Sequence, residues 1–251
     1  MNNKKMIAVI YDWPKNLTFP SVIDGIKFCL PGCFASLSMR GMYKIGDKKF
    51  FYNEADLREK RICDEVEVYG SLAEKRNIDT WNSYLLYKKS DIGSVLILSA
   101  PLDILEMGLI FDFMKGLSEI SNIGYGYVKK SIDGPSSIFE ALGVTLGLPE
   151  SSSEKRKAEK DARWFEERLL MNGRQKMRHL KGMFRSIYEV NFINDLHLDF
   201  EIKGESLKGL ISNGKDFGEL IKLNNGSYIW TVPEDRVASI NHCVDLAGGL
   251  I

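Results

Sequence analysis

The sequence predicts an α+β fold, a mostly antiparallel sheet flanked by helices, with a helical segment ahead of a C-terminal hairpin and helix. Three features carry that expectation. Short β-branched runs follow one another without the regular strand–helix alternation of a parallel α/β sheet. Two connections between such runs are short and contain glycine, as hairpins require. One long segment, 102–120, repeats its apolar residues at three- and four-residue steps.

Taken in order, residues 6–11 read as a strand stopped by Asp12-Trp13-Pro14. Residues 21–30 can form a helix with Val22, Ile23, Ile26 and Leu30 on one face, ended by Pro31-Gly32. Residues 34–43 and 48–52 flank Ile45-Gly46-Asp47 and predict a hairpin. Residues 66–69, 81–87 and 94–99 are further strands. In the 102–120 helix, Leu102, Leu105, Leu109, Phe113 and Leu117 form the stripe, Ile110 and Met114 widen it, and Pro101 suits the first turn. Residues 125–128 read as a strand leaving that helix, and 136–146 as a short helix behind Gly134-Pro135.

The one linker-like stretch, Leu148-Pro149-Glu150-Ser151-Ser152-Ser153, divides an N-terminal α+β region (1–148) from a helix-rich C-terminal region with a hairpin (149–251). The two regions are expected to pack as one unit. A strong helix follows, with Ser153 as a reasonable N-cap and Ala158, Ala162, Phe165 and Leu169 as a narrow apolar seam. Its charged remainder is a solvated face. A second helical stretch is expected over 179–188. Residues 220–223 and 228–232 flank Asn224-Asn225-Gly226-Ser227, a strong hairpin signal. Pro233-Glu234-Asp235 opens a last helix with Val237, Ile240 and Val244 on one face, and Gly248-Gly249 ends it.

A chain of 251 residues, 44% hydrophobic and 27% charged, is long and apolar enough to bury a sizeable core. Thirty-four basic and 34 acidic residues balance to zero, which argues against a general basic field for binding nucleic acid. The apolar run at 6–11 is too short for a signal peptide, and Pro101, Asp103 and Glu106 interrupt the longest apolar stretch. A cytoplasmic protein without membrane contact is the expectation. Cys29, Cys33, Cys63 and Cys243 then read as free, mostly buried thiols. The spacing of Cys29 and Cys33 is one residue too long for a thioredoxin-type motif, and two thiols without a second Cys/His pair make a poor zinc site.

Catalytic signatures are equally sparse. His179, His197 and His242 lie in no metal-binding spacing, and neither a nucleophile elbow nor a Walker loop occurs. Gly124-x-Gly126 is a fragment of a dinucleotide fingerprint placed before a strand, where turn glycines are the simpler explanation. Asp195, Asp199, Glu201 and Lys203 resemble the acidic-acidic-lysine set with which restriction-type nucleases hold magnesium and polarise water. The alternation Leu198, Phe200, Ile202 also makes those charges the wet face of an amphipathic strand. No catalytic, cofactor-binding or metal residue is therefore assigned. As binding candidates, Trp164, Tyr125 and Tyr127 are aromatics near turns or on a charged helix, the kind that anchors interfaces. Between 54 and 67, Glu54, Asp56, Glu59, Asp64, Glu65 and Glu67 outnumber Arg58, Lys60 and Arg61, an acidic patch suited to steering a basic partner.

Two stretches carry a family resemblance. One is Ile123-Gly124-Tyr125-Gly126-Tyr127 followed by Asp133-Gly134-Pro135 and Phe139-Glu140-Ala141-Leu142-Gly143. The other runs from Leu180-Lys181-Gly182 through Arg185-Ser186-Ile187-Tyr188-Glu189-Val190-Asn191-Phe192-Ile193-Asn194 and His197-Leu198 to Trp230-Thr231-Val232-Pro233. Together they resemble bacterial immunity proteins of polymorphic and type VI secreted toxins, most like the immunity protein fifty-two group. The resemblance implies a cytoplasmic antitoxin without enzymatic activity or cofactor, which neutralises a cognate toxin, a nuclease domain, by tight complexation. Alternatives from the residues are a metal-dependent nuclease and a structural subunit of a phage or defence assembly. Because the cysteines and histidines form no complete ligand set, dialysis against a chelator is expected to leave the melting temperature unchanged. A fall of many degrees that zinc restores would show a structural metal.

Overall fold

Val, Ile, Leu and Tyr in short runs favour a pleated surface, and here they build nearly the whole scaffold. The computed structural model describes residues 5–12, 37–38, 41–45, 48–52, 65–70, 83–90, 93–102, 105–131, 153–171 and 181–251. In chain order the strands are β1 (Lys5–Asp12), β2 (Leu37–Ser38), β3 (Gly41–Ile45), β4 (Lys48–Tyr52), β5 (Glu65–Gly70), β6 (Ser83–Ser90) and β7 (Gly93–Pro101). Helix α1 (Met107–Ile120), β8 (Ile123–Ser131) and helix α2 (Ser153–Met171) follow. Then come β9 (Val190–Asn194), α3 (Asp195–Leu198), β10 (Glu201–Ile202), β11 (Glu205–Ser206), α4 (Leu207–Asn213), β12 (Glu219–Lys222), β13 (Ser227–Thr231) and α5 (Val237–Leu246).

Among the described residues, nine strands form one sheet in the order β12-β13-β9-β8-β1-β7-β6-β5-β2, and every neighbouring pair is antiparallel. The α+β class predicted from sequence is the one observed. Strands β9, β12 and β13 come from beyond residue 148 and the others from before it, so both sequence regions contribute to the same sheet. β3 and β4 pair separately, with Ile45 opposite Lys48, as the first hairpin signal predicts. Of the expected 34–43 strand, 37–38 form β2, paired with β5, and 41–43 belong to β3, paired with β4, while 34–36 and 39–40 lie outside the described residues.

Strand alternation sends consecutive residues to opposite faces, and both faces are apolar. Ile10, Leu85, Tyr87, Leu96, Leu98, Val128, Phe192 and Ile229 line one face, covered by Ile110, Phe113, Met114 and Leu117 of α1. Val9, Leu86, Ile97, Tyr127, Ile193 and Trp230 line the other, covered by Phe184, Leu198, Leu207, Ile240, Val244 and Leu250. A register shift lets Tyr11 pair with Tyr125 and Asp12 with Ile123. This bulge puts Ile123 and Tyr125 in opposite cores although they are two residues apart. Between the two tyrosines, a Cβ on Gly126 would lie 2.3 Å from the Val9 carbonyl oxygen. That close approach of strands accounts for the glycine that resembled a dinucleotide fragment.

Three expectations change. α1 begins at Met107 rather than 102, because β7 goes on pairing with β1 as far as Pro101, opposite Lys5. Leu105 still enters the α1 core, so its apolar spacing is real although the residue precedes the helix. The described part of the 179–188 stretch is not helical. Gly182 has φ 75°, and Phe184 bonds to the C-terminal tail, donating to the Gly249 carbonyl at 2.9 Å and accepting from the Ile251 amide at 2.8 Å. The strand expected across 198–203 shrinks to β10, since α3 takes Asp195–Leu198 and Lys203-Gly204 turn with positive φ. Its inside–outside pattern holds: Leu198 and Ile202 are buried, and Asp199, Glu201 and Lys203 exposed. The 224–227 hairpin and the last helix, preceded by a 3-10 turn at Glu234–Arg236, are as expected. The expected helices at 21–30 and 136–146 and the linker at 148–152 lie outside the described residues.

Trp230 holds the second core together. It is fully buried, packs edge-on against Phe184 with centroids 6.1 Å apart, and donates its indole N–H to the Phe217 carbonyl at 2.6 Å. Trp230→Ala is expected to destabilise the protein by about 3–5 kcal/mol, and an unchanged urea midpoint would refute that packing role.

Candidate functional site

The cover of the second face includes irregular chain at 181–189, whose backbone groups need partners other than a helix ladder. Asn241 of α5 supplies several. Its Nδ2 donates to the Ile187 carbonyl at 2.7 Å, and its Oδ1 accepts from the Ile187 amide at 2.7 Å and the Ser186 hydroxyl at 2.9 Å. Buried Asn191 does the same for Tyr188, accepting from its amide at 3.0 Å and donating to its carbonyl at 2.7 Å. Buried His197 stacks on Tyr125 with centroids 5.6 Å apart, and its ring nitrogens face Asn194 Oδ1 at 2.8 Å and the Met183 carbonyl at 3.3 Å. Asn241 shares the α5 face of Val237 and Val244 at helical spacing, and a polar residue inside an apolar stripe was the available clue to it.

Tyr125 and Tyr127 belong to this core and not to a binding surface; each is 1% exposed. Gly126 spaces them onto one face of β8, beneath α5 and the 181–189 segment. The Tyr125 hydroxyl donates to the Ser186 carbonyl at 2.8 Å. The Tyr127 hydroxyl accepts from Arg185 Nη1 at 2.6 Å, and its ring stacks on Tyr188 with centroids 4.1 Å apart. Arg185 is itself buried, its guanidinium 4.6 Å above the Phe165 ring of α2.

Trp164 is placed differently. Phe165 and Leu169 turn inward to meet Ile251, whereas Trp164 on the next position is 39% exposed. The Arg168 guanidinium lies 4.6 Å over its ring. Arg168 is held in turn by Asp245 at 2.5 Å and by the Leu250 carbonyl at 2.8 Å. Of the acidic patch, Glu54, Asp56 and Asp64 lie outside the described residues. Glu65 and Glu67 take alternate positions on β5, opposite Lys88 and Leu86.

The residues of the nuclease-like set do not converge. Asp195 opens α3, Glu201 is on β10, and Lys203 sits in the following turn. Among the described residues no group of three or more His, Cys, Asp and Glu side chains could hold a metal ion. Asp195 instead accepts the Tyr228 hydroxyl at 2.8 Å. Cys243 is half-buried and free; Cys29, Cys33, Cys63 and His179 lie outside the described residues. No helix of the described residues is long and apolar enough to cross a membrane.

No family model matches the chain, and no curated protein matches it significantly. A solved structure, the Pseudomonas aeruginosa T6SS protein PA0821, matches with a TM-score of 0.56 over 96% of this chain and 72% of that one. The likeness is one of fold. At 13% identity it carries over no individual residue.

The hydrogen bond to Asp195, then burial and the negative charges of Asp195 and Asp199, raise the Tyr228 pKa above the ordinary phenol value. The neutral phenol is thus the form the fold favours. This contribution to stability is fully present below the unfolded pKa of about 10 and is lost as pH rises through the folded value. In Asp195→Ala the phenolate absorbance of Tyr228 is expected to appear at lower pH than in the wild type. Coincident titration curves would show that Asp195 does not govern it.

Proposed function

We propose that this chain is an immunity protein: a cytoplasmic, non-enzymatic binding protein that neutralises a cognate secreted toxin, a nuclease domain, by forming a stoichiometric complex. The observation that carries this reading is the fold likeness to a T6SS protein across 96% of the chain. The residue pattern of the second half supports it from a separate direction, because it resembles immunity proteins of type VI and polymorphic toxins. Gly182, Tyr125, Tyr127, His197 and Trp230, which carry part of that pattern, are scaffold residues here. Their part in the resemblance is architectural, and this reading gives toxin binding to exposed residues instead.

A scaffold whose sheet is packed on both sides can offer a partner a preformed surface, which reduces the ordering cost of association. Neutral overall charge fits a protein that engages another protein rather than nucleic acid directly. The test is co-expression with the catalytic domains of candidate secreted nuclease toxins of the host. Restored growth, a one-to-one complex on gel filtration and loss of DNA cleavage at equimolar ratio are the expected results. Neither rescue nor a complex would overturn the reading, and magnesium-dependent DNA cleavage by the chain alone would favour a nuclease.

A further inference from the structure

The solvent face of α2 has features that the fold does not require. With about 100° per residue, the helix turns Phe165 and Leu169 inward and leaves Arg156, Lys160, Arg163, Trp164, Glu167, Leu170 and Met171 exposed along one side. Arg156, Lys160 and Arg163 follow at four- and three-residue spacing, and Glu167, four residues further on, is the one exposed acid among the described side chains of that side. Exposed cations outnumber the exposed acid on this side by three to one, which suits attraction of an acidic surface.

The other half of the face is apolar and held in place. Trp164 is stacked under Arg168, which Asp245 and the Leu250 carbonyl hold from the far side. An exposed tryptophan fixed in this way has little freedom to lose on binding, as an interface anchor requires. Met171 at the end of α2 is 87% exposed, and Leu246, next to Asp245, is exposed as well. Phosphates would use the cations and leave this apolar end idle, so the arrangement fits a protein better than a nucleic acid.

We propose that this face of α2 is the surface that docks the toxin, and that it meets an acidic patch with an apolar pocket for Trp164; the proposal rests on the immunity reading above. A nuclease keeps its substrate groove basic, so an acidic contact patch lies beside that groove rather than within it. The probe is the purified catalytic domain of the nuclease toxin that this chain neutralises in the co-expression test, with binding rates measured at low and moderate salt. Lys160→Glu with Arg163→Glu is expected to slow association about tenfold at low salt and flatten its salt dependence. Trp164→Ala is expected to speed dissociation about thirtyfold. Lys208→Glu on α4, exposed and remote in sequence, should leave both rates alone. Melting curves accompany each variant, and the double charge reversal alters only exposed side chains, so it remains decisive should Trp164→Ala fail to fold. Wild-type rates in the double variant, with the wild type still protecting cells, overturn the α2 assignment and leave the immunity reading intact. Failure of the wild type to bind overturns both. Tight binding of a DNA duplex that the charge reversals abolish and Trp164→Ala does not affect would reassign the face to nucleic acid.

Discussion

Apolar residues on both sides of the same strands are the constraint from which the rest of the structure follows. Val9 and Ile10 of β1, Leu85 and Leu86 of β6, Ile97 and Leu98 of β7, Phe192 and Ile193 of β9, and Ile229 and Trp230 of β13 each split between the two cores. A sheet of this kind is stable only when both faces are covered, since each exposed face would leave a large apolar area in water. One cover is simple: α1 lays a single amphipathic stripe across its face. The other is assembled from 181–189, α3, α4, α5 and the last residues of the chain.

That second cover explains why so many polar side chains are buried. Irregular backbone pressed onto a sheet cannot satisfy its amides by an internal ladder, so side chains must do so. Asn241 and Asn191 take the amide and carbonyl of Ile187 and Tyr188, Tyr125 takes the Ser186 carbonyl, and His197 lies against the Met183 carbonyl. These residues coincide with much of the pattern of aromatic, amide and turn residues at 123–127 and 182–198. Its aromatic and amide residues are what this way of closing a sheet requires, which is why the pattern reports architecture more directly than partner contacts.

The same constraint decides which aromatics are left at the surface. Aromatics on β8 are drawn into the core by strand alternation, whereas the narrow seam of α2 needs only Phe165 and Leu169 inside and releases Trp164 to the surface. Arg168 links that surface to α5 and the chain terminus, so the exposed face of α2 is mechanically continuous with the second core.

Much of the fold was legible in the sequence because local chemistry specified it. Hairpins at Ile45–Lys48 and at 224–227, the strands at 6–11 and 94–99, and the face of the last helix follow from turn residues and periodicity alone. Periodicity could not say where α1 begins, because Leu105 contacts the same core from outside the helix. Nor could it say that Phe184 bonds to Gly249 and Ile251, residues far along the chain. The aromatic candidates divided for the same reason: only the bulge at Asp12 and the close approach at Gly126 decide which side of the sheet Tyr125 and Tyr127 take. The sequence by itself determined the class of fold and the identity of most strands, since these depend on neighbours in the chain. The tertiary structure alone decided which polar and aromatic residues were consumed by the core and which remained outside, since burial depends on contacts between segments that no local pattern encodes.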